Sequence, residues 1–113
     1  MAATSKNFDI GIKEYASEIK HILGKDCEKV VLYGSYVRGE YGEDSDIDLV
    51  IFTSRGPNDF SSLFDEISEA TFEYSVKYDM ILSPVFENTR EFYRMLKALP
   101  YYQNIEKEGI PIG

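Results

Sequence analysis

Apolar side chains at Phe8, Ile12, Tyr15, Ala16, Ile19, Ile22 and Leu23 recur every three or four positions, the spacing that gathers them on one face of a helix. The pattern predicts an amphipathic helix over roughly Asp9 to Leu23, closed near Gly24. The period then changes. "KVVLYGS" reads as a short buried strand ending at Gly34, and "DIDLVIF" as a second strand. That second strand is apolar on both faces after its first three residues, as expected where helices cover both sides of a sheet. "TSRGPN" is a loop by its Gly-Pro content. From Asp59, the residues Phe60, Leu63, Phe64, Ile67, Thr71 and Tyr74 form another helical stripe. "KYDMILSPV" predicts a third strand, stopped at Pro84. Asn88 or Thr89 caps a helix carrying Phe92, Met95, Leu96 and Leu99. Pro100 interrupts it, and "YYQNIEKEG" predicts a last helical segment closed by Gly109. The order α-β-(short α)-β-α-β-α implies a small α/β or α+β sheet with helices packed on it.

A length of 113 residues suits one domain spanning 1–113. No stretch approaches the ~18–20 apolar residues that a membrane helix needs. The start, "MAATSKNFDI", lacks an apolar signal core, so export is not expected. A lone cysteine, Cys27, cannot form an internal disulfide and fits a reducing cytoplasm; it reads as a packing or surface residue. Twenty acidic groups against twelve basic ones give a net charge of −8. That field disfavours direct nucleic-acid binding and suits divalent cations or a basic protein partner.

The charge is concentrated. Glu40, Glu43, Asp44, Asp46 and Asp48 crowd the run before the second strand. Strand alternation puts Asp46 and Asp48 on one side, with Cα atoms ~6–7 Å apart. Two such carboxylates repel, and bound Mg²⁺ would remove the conflict; a solvated acidic loop is the bland alternative. Gly34 directly after a strand lets the backbone approach a ligand, and Ser35 capping a short helix through Arg38 would aim N–H groups at a phosphate. Arg38 would reach phosphate oxygens with its planar fork, or else pair with Glu43 or Asp44. Asp79 is an acid within an apolar strand, unexpected unless a partner or metal satisfies it. Beside the second strand, it would converge with Asp46 and Asp48 on one or two metal ions that clamp an in-line displacement at phosphorus. His21, the single histidine, reads as a helix-surface residue, which leaves Asp79 to accept the nucleophile's proton.

Gly34-Ser35, ten intervening residues, then Asp46-Ile47-Asp48 reproduces the G-S-x10-D-x-D signature of the polymerase-beta-like nucleotidyltransferase superfamily. The run "YGSYVRGEYGEDSDIDLVIF" resembles its smallest members, the minimal nucleotidyltransferases, and keeps Arg38-Gly39 and Ser45-Asp46. Tyr36-Val37 depart from the small residues usual there. The third acid at Asp79 and the ending "YYQNIEKEGIPIG" extend the likeness over nearly the whole chain. The resemblance implies the nucleotidyltransferase fold, a small mixed β-sheet with helices packed on it. It further implies transfer of AMP from ATP to an acceptor hydroxyl with release of pyrophosphate. Gly34 and Ser35 would hold the triphosphate, with Arg38 and Ser45 as further contacts. Asp46, Asp48 and Asp79 would bind two Mg²⁺ ions, Asp79 assisting deprotonation. Many minimal nucleotidyltransferases are antitoxins that adenylylate a tyrosine of a HEPN-domain ribonuclease toxin, and the resemblance implies that role in a type VII toxin–antitoxin pair. A non-catalytic antitoxin, or an enzyme modifying a small molecule through a dimeric pocket, are the alternatives; a homo-oligomer is compatible with each.

Overall fold

The computed structural model describes residues 3–39, 46–56 and 62–112. Helix α1 (Ala3–Leu23) begins a turn and a half before the predicted start and leads through one 3-10 turn (Gly24–Asp26) into strand β1 (Cys27–Tyr33). Strand β2 is Asp46–Thr53, helix α2 Phe64–Lys77, strand β3 Ile81–Asn88, helix α3 Thr89–Met95, helix α4 Pro100–Glu108 and strand β4 Ile110–Ile112. The sheet order is β3-β2-β1-β4, with β2 parallel to β3 and β1 antiparallel to both β2 and β4. A mixed sheet with helices on both faces is the fold class that the pattern implied.

The two-faced apolarity of β2 has a direct cause. Ile47, Leu49 and Ile51 point into a large core closed by α1 and α2 through Ile12, Tyr15, Ile19, Ile67 and Ala70. Val50 and Phe52 point the other way, into a smaller core that Val31, Phe92 and Ile105 complete from β1, α3 and α4. Tyr15 is fully buried, and its hydroxyl shares a 2.6 Å hydrogen bond with Thr71 Oγ1, tying α1 to α2. Phe52 and Phe92 meet edge to face with centroids 4.7 Å apart.

Two boundaries differ from the sequence expectation. Strand β3 runs through Pro84 to Asn88 rather than stopping there, because β3 is an edge strand and tolerates a missing ladder donor. Strand β4 has no alternating signal, since its three residues include Pro111 and are largely exposed; only its pairing with Val30–Leu32 reveals it. Asn88 does cap α3, its side chain accepting from Glu91 N at 3.0 Å. No helix among the described residues is long and apolar enough to cross a membrane.

Candidate active site

Strand β1 ends at Tyr33 and the backbone turns at Gly34, whose φ is +88°. Its carbonyl accepts the N–H groups of Val37 at 3.1 Å and Arg38 at 3.2 Å; Gly39, at φ +76°, donates to Tyr36 O. The short helix expected from Ser35 to Arg38 is therefore a hydrogen-bonded turn between two left-handed glycines, with Gly34 C=O as its acceptor. Gly34 has a second reason to be glycine. A Cβ built there would collide with the Asp48 carboxylate, so the bare backbone and that side chain occupy one continuous surface.

On β2, Asp46 and Asp48 share the face of Val50 and Phe52, on the side of the sheet that carries α3 and α4. Asp46 is exposed and Asp48 half-buried. Asp48 lies opposite Tyr33 on β1 and Ser83 on β3. Burial pushes its carboxyl above the usual carboxylate range, the Asp46 charge pushes the same way, and Arg38 pulls it back. A partly desolvated pair of like charges is short of positive charge, which is the donor set that a hard divalent cation satisfies with help from phosphate oxygens and water.

The third acid falls elsewhere than expected. Asp79 is not on the strand: it occupies the α2–β3 turn with φ +52°, exposed, its N–H bonded to Val76 O. The β3 position beside Asp48 is Ser83 instead. Among the described residues no group of three or more carboxylate, imidazole or thiol side chains is arranged to hold a metal, so the trio of Asp46, Asp48 and Asp79 is not gathered. Sequence alone misplaces Asp79 because "KYDMIL" hides a helix end: α2 runs to Lys77, and Met80 N closes back onto Ser75 O at 2.9 Å. Arg38 Nη1 lies 3.4 Å from Glu108 Oε1 at the end of α4. Ser45 lies outside the described residues, as do Glu40, Glu43 and Asp44. Ser35 sits in the turn, half-buried, and His21 is exposed on α1 as expected.

Sequence reasoning misses the aromatic wall of this mouth. The Tyr33 and Tyr101 rings meet edge to face, centroids 6.2 Å apart, and the Tyr102 hydroxyl donates to Glu87 Oε1 at 3.1 Å. Burial raises the Tyr101 phenol pKa, and the negative charges of Glu87 and Asp48 add to it. A signal exists for Tyr33, which alternates with Val31 and immediately precedes Gly34. None exists for Tyr101, whose position depends on how α4 docks.

The model of the family described as nucleotidyltransferase domain matches residues 12–111. A Methanocaldococcus jannaschii protein provisionally named protein adenylyltransferase MJ0141 is 31% identical over 101 residues, 89% of this chain and 94% of that one. A second from the same organism, provisionally named protein adenylyltransferase MJ0604, is 29% identical over 103 residues, 91% of this chain and 95% of its own length. The family match runs from α1 to β4 and takes in the Gly34 turn and both acids of β2; the chain belongs to the nucleotidyltransferase domain family and is a nucleotidyltransferase.

Proposed function

We propose that this protein transfers AMP from ATP to a hydroxyl of a partner protein, a tyrosine of a HEPN-family toxin, and thereby acts as an antitoxin. The observation that carries the reading is the packing of Asp48 against Gly34 with Asp46 beside it. A backbone turn open to a triphosphate and a carboxylate pair in need of a cation stand together at one sheet end. The names of the relatives support a protein acceptor, and the net charge of −8 suits a basic one.

Asp46 and Asp48 would hold Mg²⁺, which supplies charge neutralisation at the transferring phosphoryl group. The Gly34–Gly39 turn and Ser35 would receive the triphosphate, with the Arg38 guanidinium released from Glu108 to its oxygens. The acceptor oxygen forms a bond to the α-phosphorus, the bond to the β-phosphate oxygen breaks, and pyrophosphate leaves. The family resemblance would give the acceptor's proton to Asp79, which stands two residues before the β3 partner of Asp46 but is not gathered with the acid pair. Tyr33 and Tyr101 would wall the mouth and keep water from the phosphorus.

The test is intact mass spectrometry of the HEPN-family partner after incubation with ATP and Mg²⁺, with Asp46→Ala/Asp48→Ala alongside. Added AMP with wild type alone is the expected result. An unmodified partner that both proteins neutralise equally would reduce the role to contact.

A further inference from the structure

Away from the acid pair, helix α2 and the edge strand β3 bound an open groove of about 500 Å³. Phe64 and Phe72 form its outer wall, Ile67 and Thr71 its floor, and Pro84 and Phe86 its β3 side. Phe64 is 64% exposed and Phe72 72%, with Val76 (64%) a turn further on and Ile81 (45%) at the start of β3. Large apolar side chains gathered beside a groove mark a recognition surface rather than scattered exposure. The polar floor is satisfied internally, Thr71 Oγ1 bonding to both Tyr15 and Ile67 O. Apolar atoms are therefore what the groove offers.

The charge around it selects the occupant. Asp65, Glu66, Glu69 and Glu73 stand exposed on α2, and none forms an ion pair among the described residues. The single base of the helix, Lys77, is already engaged with Glu14 on α1 at 3.5 Å. Helical spacing places Glu69 three residues before Phe72, and Val76 four after it, on adjoining strips of surface. A second copy meeting this face would set Asp65 and Glu69 against the same two carboxylates, on chains of charge −8. An anionic lipid surface or nucleic acid is repelled for the same reason. Pro84 removes a backbone donor from the edge, which disfavours recognition by strand addition and leaves recognition to side chains.

We infer that the α2–β3 groove docks a basic amphipathic segment of the protein substrate, apolar side chains in the groove and Lys or Arg over the α2 carboxylates. As substrate docking this rests on the adenylyltransferase reading; the binding itself does not. The groove's β3 residues Pro84 and Phe86 pair with Leu49 and Ile51, so it runs along the sheet edge on the α2 face, opposite the face that carries Asp46 and Asp48. A partner held there leaves the mouth unoccupied and can reach it around the β3 edge.

Two synthetic amphipathic helices with the same Leu/Phe stripe test this, one flanked by lysines and its twin by glutamates, read by fluorescence anisotropy at two ionic strengths. Wild type should bind the lysine peptide, more weakly at high salt, and not its twin. Phe72→Ala should weaken binding by about tenfold or more, while Ile10→Ala on α1 should not. Glu69→Lys/Glu73→Lys should reverse the preference. Equal binding of both peptides, or no loss in Phe72→Ala, overturns the inference; so does a dimer in sedimentation that Phe72→Ala disperses, since a second copy would then fill the groove. ATP and Mg²⁺ should stabilise Phe72→Ala as they stabilise wild type. If they stabilise neither while the lysine peptide still binds, the catalytic reading falls and the docking surface stands.

Discussion

Replacing Gly34 with alanine separates two costs that the structure assigns to one position. The first is backbone strain: an L-residue held near φ +88° pays roughly 1–2 kcal/mol relative to glycine. The second is the collision of the new Cβ with the Asp48 carboxylate, which must move. Gly24 isolates the first cost, since it has φ +61° and nothing within 4 Å of the place where a Cβ would stand. Gly24→Ala should lower the melting temperature by roughly 4–8 °C per kcal/mol while leaving Mg²⁺-dependent stabilisation intact. Gly34→Ala should lose as much or more stability, and in addition lose Mg²⁺ and ATP stabilisation because Asp48 no longer sits beside Asp46. The assay is thermal denaturation with and without Mg²⁺ and ATP. If Gly34→Ala and Gly24→Ala respond identically to Mg²⁺ and ATP, the contact between turn and acid has no role in cation binding and the reasoning fails.

Three further outcomes follow from packing and charge. Burial raises the Tyr15 phenol from 10.0 to about 12, so the contribution of Tyr15 to stability is fully present below pH 10 and is lost as pH rises through about 12. The loss attributable to Tyr15 is on the order of 2–3 kcal/mol, and Tyr15→Phe should flatten that part of the alkaline denaturation curve. Phe92→Ala empties the centre of the smaller core, where Phe52 and Tyr102 stand within 4.8 Å centroid to centroid, and should cost about 3–5 kcal/mol in urea denaturation. Glu108→Gln frees Arg38 from a pair whose members are both about 40% exposed, so stability should change by under ~1 kcal/mol while ATP binds more tightly in calorimetry. Unchanged ATP affinity would mean Arg38 does not reach the triphosphate.

Much of this molecule is legible from residue order because the determining interactions are local. The unbroken apolar run at the end of "DIDLVIF" specifies a strand buried on both faces, and Asn88 announces the start of α3 through a cap that closes three residues on. Gly34 and the acid pair stand out through the resemblance of their spacing to a family signature, and the fold sets Gly34 against Asp48. What stays hidden depends on contacts between distant segments. Asp79 reads as a strand residue until the end of α2 is seen to close over it. The partner of Arg38 lies seventy residues away on α4, and Tyr101 reaches the mouth only because α4 packs Ile105 into the smaller core. Pro84 reads as a terminator because sequence does not say which strand lies at the edge.

The net charge illustrates why position outweighs amount. Asp46 and Asp48 are exposed and half-buried neighbours; burial first, and then the Asp46 charge, raise the Asp48 carboxyl, so their charge is an electrostatic cost that a cation would relieve. Asp65, Glu66, Glu69 and Glu73 are solvated along one helix, where like charges cost little and steer an oppositely charged partner from a distance. The sheet separates the two, since α2 and the groove lie on one face and the acid pair on the other. Screening should therefore act on them differently. Added monovalent salt should slow association of a basic partner while leaving Mg²⁺ stabilisation of the acid pair largely in place, because a half-buried site is screened less than an exposed helix face.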